Sequence, residues 1–319
     1  RARSEKPRRL VFPEGEHDTV LRAANAIVDQ KIAQPVLLGR EDFIRERAAT
    51  LGVVTDGFDI VNVPDEAHCA EYAQALYELR QRKGVNLPAA RDLIRDPTIF
   101  GLMMVHRGDA DGFVGGMYKA FPETIRPAIQ IVGLKDGVSR VSAAHVLVLK
   151  DRVFFCADTM VNIQPSAEEL AEIALLAASM ARNFDTEPKV ALLAFSSFGS
   201  VPHPISSKVA QAVDLVRQAD PSIVVDGEMH LDTAVVEEIV AKNYPHSRIK
   251  GDANVLVFPD LTSGNIGYKL VQRLGNADAI GPIMMGMRKP VNVLQHGMTV
   301  AEIVNVAAIT AVSAETDGK

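Results

Sequence analysis

Short β-rich runs alternate with longer helical patterns through most of this sequence, and that alternation restricts the chain to βαβ units built on mainly parallel sheet. Leu10-Val11-Phe12 reads as a first strand closed by Pro13-Glu14-Gly15, and Val20, Leu21, Ala24, Ile27 and Val28 lay one apolar face along a helix over residues 18–30. Strands are expected at 35–38, 59–63 and 112–114, with helices over 66–82 and 97–107. Asp96 before Pro97 has the pattern of a capping residue followed by proline at the first helical position. A chain of 319 residues is long enough for two domains or one large α/β unit.

Around residues 139–152 the pattern turns to alternating Val and Leu, and Lys150-Asp151 signals a turn before Val153-Phe154-Phe155. The domain change is placed here, giving a first αβα domain over 1–140 and a second over 141–289. Ser166 with Glu169 three residues on forms a capping-box signature for an Ala-rich helix to about Arg182. That helix has little polar surface and is expected to be buried or at a subunit contact. Later strands are expected at 190–195, 223–225 and 254–258. Thr299 and Glu302 form a second capping box, launching a last helix over 300–314. No repeat at a fixed period and no linker-like stretch interrupts the pattern.

Composition narrows the function. Hydrophobic residues make up 47% and charged residues 23%, the balance of a folded soluble protein rather than a disordered one. The net charge of −6 supplies no global field for a nucleic-acid backbone or an anionic membrane, so an anion must be held by a few local cations. Neither nucleic acid nor membrane is expected as a partner. The two cysteines, Cys69 and Cys156, form no framework and suit a reducing cytoplasm. No apolar run is long enough to cross a bilayer, and the His residues lack metal-ligand spacing, so no structural zinc is expected. The chain opens Arg1-Ala2-Arg3-Ser4 without an initiator Met, which fits a piece of a longer polypeptide.

No Gly-x-Gly-x-x-Gly follows a strand, and the stretch from Gly264 to Lys269 lacks P-loop spacing, so a standard dinucleotide site is not expected here. Three polar turns are instead placed after strands: Ser196-Ser197-Phe198-Gly199-Ser200, Asp226-Gly227-Glu228, and Asp260 to Asn265. Open α/β sheets put their ligand crevice at such ends. Small residues there would expose backbone N–H groups to phosphate or carboxylate, unless the Ser, Asp and Gly residues merely cap helices and form turns.

The ordered motifs Ala110-Asp111-Gly112, Arg126-Pro127-Ala128, Ala157-Asp158, Asp226-Gly227-Glu228, Asn254 to Lys269, Gln272-Arg273-Leu274 and Lys289 to Asn292 cover nearly the whole chain. Together they resemble the phosphotransacetylase family, which exchanges acetyl groups between coenzyme A and phosphate. The resemblance implies two αβα domains of the isocitrate-dehydrogenase-like type with a cleft between them. It also implies a homodimer or higher homo-oligomer, and a C-terminal helix (290–319) that completes the first domain. It suggests a cofactor region containing Arg80, Arg126 and Arg273, with Ser197, Gly199, Ser200, Asp260, Asn265 and Tyr268 from the second domain and Gln295, His296 and Gly297 at the start of the last helix. Each arginine alone has the alternative of being a surface ion-pair residue.

The departures from the family pattern carry as much information. Active members have Ser-Arg-Gly with an Asp five residues past that Gly, where Arg and Asp support attack of the CoA thiol on the acetyl carbonyl. Here Gln295 and His296 replace Ser and Arg, and Glu302 replaces the Asp. Imidazole near neutral pH supplies neither the permanent charge nor the bidentate fork of guanidinium, and Glu302 is better explained as the third residue of its capping box. A His-Ser/Thr-Thr cluster is replaced by Lys119-Ala120-Phe121, of which Lys119 is expected as a solvated surface cation or an anion ligand.

These features imply a catalytically silent domain, with no catalytic residue of its own, that binds acetyl-CoA or CoA as an effector. The nearest resemblance is to the C-terminal phosphotransacetylase-like domain of large bacterial malic enzymes, which oxidatively decarboxylate malate to pyruvate. There an attached N-terminal part uses NAD or NADP and a divalent metal, and acetyl-CoA inhibits it. The alternatives are a working phosphate acetyltransferase and a purely structural oligomerisation module.

Overall fold

The computed structural model describes residues 7–63 and 68–316. The chain first runs β1 (Arg9–Phe12), α1 (Asp18–Asp29), β2 (Gln34–Leu38), α2 (Glu41–Leu51), β3 (Asp59–Val61), α3 (Cys69–Arg80), α4 (Leu87–Leu93), α5 (Pro97–Arg107), β4 (Gly112–Gly115) and α6 (Phe121–Ile131). It continues through β5 (Ser142–Leu149), β6 (Arg152–Ala157), α7 (Ala167–Asn183), β7 (Lys189–Leu193), α8 (Pro204–Ala219), β8 (Val224–Met229), α9 (Leu231–Val235) and α10 (Glu237–Asn243). The last elements are β9 (Val255–Val257), α11 (Leu261–Arg273), β10 (Asp278–Met285), β11 (Val291–Val293) and α12 (Val300–Thr316). Residues up to Gly137 and from Met287 onward form one compact unit, and Val138–Gly286 form a second, three residues from the boundaries read in the sequence.

The first unit holds a five-stranded sheet in the order β11-β4-β1-β2-β3. Its strand pairs are all parallel. Leu10, Val11 and Phe12 have no exposed surface, as expected for a strand covered on both faces. Helix α1 buries Val20, Leu21, Ala23, Ala24 and Ile27, and α12 packs on α1 and on the sheet at β4 and β1. The return of α12 is anchored by one buried polar bond, in which Asn292 Nδ2 on β11 donates to Thr310 Oγ1 at 2.8 Å. Asp96 caps α5 by accepting from Thr98 N and Ile99 N, and a left-handed Gly108 ends the helix. The expected start of a helix at Glu66 lies outside the described residues. Helix α6 carries Pro127 in its interior, a residue that removes a helical donor and hides the element from a periodicity reading.

The second unit holds a six-stranded sheet in the order β10-β5-β6-β9-β7-β8. β10, β5 and β6 pair antiparallel, and β6, β9, β7 and β8 pair parallel. Ser166 caps α7 through the expected box with Glu169, and Ala174, Ala177, Ala178 and Ala181 are fully buried where α7 packs on α8 and the sheet. The structure corrects one expectation about this sheet. Asp226-Gly227-Glu228 is not a turn after a strand but part of β8, pairing with β7, and its buried carboxylates find partners there: Asp226 accepts from Arg217 at 2.7 Å and from Ser247 Oγ at 2.9 Å, and Glu228 from Ser196 Oγ at 3.0 Å. Among the described residues, no helix is long and apolar enough to cross a membrane.

Gly227 shows why β8 tolerates no side chain at that point. Its φ is +142°, and a Cβ would lie 2.5 Å from Leu192 O on β7. Gly227→Ala is therefore expected to lower stability by roughly 2 kcal/mol or more in urea unfolding, combining backbone strain with overpacking. Gly52→Ala, where φ is +68° and nothing lies within 4 Å, should cost only about 1 kcal/mol.

Candidate functional site

In the second unit, the loops after β7 and β9 hold Ser197, Gly199, Ser200 and Asp260, and helix α11 carries Asn265, Tyr268 and Arg273. The loop after β7 closes around a carboxylate supplied by the protein itself. Glu228 Oε1 accepts from Gly199 N at 2.7 Å and from Ser196 Oγ at 3.0 Å, while Phe198 N donates to Glu228 O at 2.9 Å. Ser197 N donates to Ser200 Oγ, Val201 N to Ser196 Oγ, and His230 N to Ser197 Oγ. The amides of Ser197, Phe198, Gly199 and Val201 are thus satisfied internally, which overturns the expectation that this loop offers free N–H groups to an anion. What remains toward solvent is the exposed surface of Gly199 and Ser200.

The loop after β6 is organised by Asp158, which is 2% exposed. Its carboxylate accepts from Met160 N at 2.8 Å, Val161 N at 3.1 Å, Asn162 N at 2.9 Å and Asn162 Nδ2 at 2.6 Å. Helix α11 docks on this loop: Asp260 caps it by accepting from Ser263 N, and Asn265 Nδ2 donates to Thr159 O at 3.2 Å. Gly264 is needed for that approach, since a Cβ there would stand 2.2 Å from Asp158 O. Lys208 Nζ ties the same edge together by donating to Pro165 O and Pro259 O. Tyr268 is buried, its ring stacked on His145 at 3.8 Å, and Arg273 ends α11 exposed.

His145 was not singled out by sequence reasoning because a lone His within a Val/Leu strand carries no signal. Its Nδ1 lies 2.8 Å from Thr159 Oγ1, whose own proton goes to Ala143 O, so Nδ1 is the donor. Burial, with a smaller push from Lys269, takes its pKa down to about 3.

In the first unit, Gln295, His296 and Gly297 form the turn between β11 and α12. Leu294 N donates to Gly115 O at 2.7 Å, His296 Nδ1 stands 3.5 Å from Met117 O, and Met298 N donates to Gln295 O at 3.2 Å. Glu302 acts as the sequence suggested, its Oε2 accepting from Thr299 N at 2.7 Å and Thr299 Oγ1 at 2.9 Å. Lys119 does not. Instead of standing solvated or free for an anion, its ammonium is bound to both Asp96 oxygens at 2.8 and 2.6 Å, because the cap of α5 brings that carboxylate to it. Arg80 at the end of α3 is half-buried and Arg126 on α6 is exposed. Among the described residues neither of these two nor Arg273 makes an ion pair, unlike Arg40, Arg47 and Arg182.

Glu14, read from sequence only as part of a strand-closing turn, is buried beside this turn's neighbour loop. Its Oε1 accepts from Gly116 N at 2.8 Å, and its Oε2 is buried without a partner among the described residues. At the opposite edge of the second sheet, a surface cavity of about 790 Å³ is lined by Lys150, Asp151, Arg152, Asn276 and Asp278 and contains none of the candidate residues.

Comparison with known proteins agrees with this architecture. The family profile of phosphate acetyl/butaryl transferases matches residues 1–311. The phosphate acetyltransferase of Bacillus subtilis is 39% identical over 306 residues, covering 96% of this chain and 94% of that protein. The phosphate acetyltransferase of Nitratidesulfovibrio vulgaris is 42% identical, and this chain spans only 44% of its length. The NADP-dependent malic enzyme of Escherichia coli is 41% identical over 316 residues, covering 97% of this chain and 42% of that protein. The crystal structure of a phosphotransacetylase from Streptococcus pyogenes superposes with a TM-score of 0.94 at 39% identity, covering 99% of this chain and 96% of that one. Two parallel-rich α/β units with this succession of motifs belong to the phosphate acetyl/butaryl transferase family, and this chain is a member of it.

The buried imidazole predicts an acid limit to stability. His145 is neutral in the fold and titrates near 6.5 when unfolded, so the unfolded chain binds more protons between pH 6.5 and 3 and stability is lost as pH falls through that window. Relative to His145→Gln, the wild-type unfolding free energy should fall by about 1.4 kcal/mol per pH unit between pH 6 and 4 in denaturant titrations.

Proposed function

We propose that this chain is an acetyl-CoA-binding domain without transferase chemistry of its own, serving as the C-terminal regulatory part of a malic enzyme. The observation that carries the reading is the turn before α12. Gln295 and His296 stand where active members resemble one another in Ser and Arg, and the carboxylate in the Asp position, Glu302, accepts two hydrogen bonds from Thr299 in its capping box. A developing oxyanion needs a permanent, preorganised cation, and the nearest alternative, Lys119, is neutralised by Asp96. Arg80, Arg126 and Arg273, which make no ion pair among the described residues, suit the phosphate groups of coenzyme A, for which a planar guanidinium offers bidentate bonds. The 41% identity to a malic enzyme of which this chain would span 42% supports a covalently attached catalytic part. That part would use NAD or NADP and a divalent metal. The effector acts by binding two conformations unequally, and feedback is its metabolic sense, since pyruvate feeds acetyl-CoA. A cytoplasmic homodimer or higher oligomer fits the same reading.

A second reading has a specific observation behind it. Relatives named phosphate acetyltransferase match at 39–42% identity, several of them along nearly their entire length, and they outnumber the malic enzyme. On that basis the chain would be a working phosphate acetyltransferase, with catalysis resting on positioning of the two substrates.

Two measurements separate these readings. Purified protein supplied with CoA and acetyl phosphate should form no acetyl-CoA above background, whereas turnover comparable to an active relative would establish the second reading. In calorimetric titration with acetyl-CoA, Arg126→Ala and Arg273→Ala should each weaken binding about tenfold, and unchanged affinity in both would remove these residues from the site.

A further inference from the structure

Glu14 stands out among the buried polar groups of the first unit. It follows β1, is 7% exposed, and meets a single donor, Gly116 N at 2.8 Å, while its second oxygen has no partner among the described residues. A carboxylate enclosed in this way lacks the donors that compensate a buried charge, whereas a neutral carboxyl in the same place costs far less. The groups facing it do not make up the difference. Lys119, from the loop after β4, has its ammonium on Asp96 at the start of α5. Glu16 in the same turn is paired with Arg40, and the ring of Tyr118 rests on His17.

Gly116 belongs to a loop that also supports the turn before α12. Gly115 O accepts from Leu294 N at 2.7 Å, and Met117 O faces His296 Nδ1 at 3.5 Å. Loop 115–117 thus lies in contact with Glu14 on one side and with residues 294–296 on the other.

We propose that Glu14 is a proton-operated latch: neutral, it stays buried and holds loop 115–119 closed against the turn carrying Gln295 and His296, and ionised, it drives that loop open to reach water. The sign follows from burial. Desolvation pushes the Glu14 carboxyl up to about 7, against the pull of Gly116 N–H, Lys119 and the more weakly placed N–H groups of Glu14 itself and Met117, while an opened loop returns it to about 4.5. Ionisation favours the conformation with the lower value, so the closed loop loses ground as pH rises through neutrality. Glu14 is a positioning residue, acting through the loop rather than on a bound molecule. The latch stands on contacts within one unit, and only its consequence, pH-dependent acetyl-CoA affinity, rests on the proposed function.

Hydrogen–deuterium exchange of the whole chain at pH 6 and pH 8, corrected for intrinsic exchange, tests it. In wild type, peptides covering residues 113–119 and 293–298 should lose about tenfold in protection from pH 6 to pH 8, the limit set by carboxyl values of about 7 closed and 4.5 open. Glu14→Gln, fixed in the neutral state, should show the same protection at both pH values, no lower than that of wild type at pH 6. Equal wild-type protection at the two pH values, or the same pH dependence in Glu14→Gln, would overturn the latch. Should that variant not fold, the carboxyl carbon of Glu14 in labelled wild type decides: a midpoint near 7 accompanied by a shift of the Gly116 amide supports the latch, and a midpoint below 5 ends it. Acetyl-CoA calorimetry on the same samples reads the proposed function separately, since absence of binding at both pH values would remove the effector and leave the exchange result standing.

Discussion

Buried carboxylates hold the strand-end loops of this protein. Parallel strands end in loops whose amide groups need acceptors, and here the chain supplies those acceptors from its own Asp and Glu side chains. Asp158 gathers three successive amides after β6, Glu228 gathers the loop after β7, and Glu14 holds the loop after β4. The docking of α11 on Asp158 O and the position of the turn before α12 follow from these closures. Loops tied to internal carboxylates in this way do not offer those same amides to external anions.

The three carboxylates differ in how completely they are satisfied. Asp158 accepts from four backbone amides and the Asn162 side chain, and Glu228 accepts from an amide and a hydroxyl on one oxygen. Glu14 has one donor and one orphaned oxygen. A fully satisfied buried charge is a structural fixture, because every way of removing it strands its donors. Glu14, with one donor and an oxygen buried without a partner among the described residues, is the least compensated of the three, and on that difference the proposed latch rests.

Family membership sets the scaffold, and a handful of side chains decide what it does. The turn at Gln295 and His296, the capping role of Glu302 and the Lys119–Asp96 pair all lie in the first unit, in segments whose backbone path is ordinary for the fold. A one-residue change in such a turn alters charge and hydrogen-bonding geometry without disturbing the strand before it or the helix after it. A fold can therefore keep a superposition of 0.94 with a phosphotransacetylase while differing from it at single positions of such a turn.

The amino-acid sequence by itself determined the α/β class, the capped helix starts at Asp96, Ser166 and Thr299, and the identity of the turn before α12. These signals are local: a cap bonds an amide two or three residues along the chain, and an apolar stripe repeats within one helix. Only the tertiary structure decided that Asp226 and Glu228 belong to a strand, that Lys119 is held by Asp96, and that Glu14 is buried with one oxygen unpaired. Those outcomes depend on partners brought from 23 residues away for Lys119 and Asp96, and from 102 residues away for Glu14 and Gly116. A side chain's charge state follows from what surrounds it in space, and no local pattern encodes a neighbour that sits on the next strand of the sheet but about a hundred residues away along the chain.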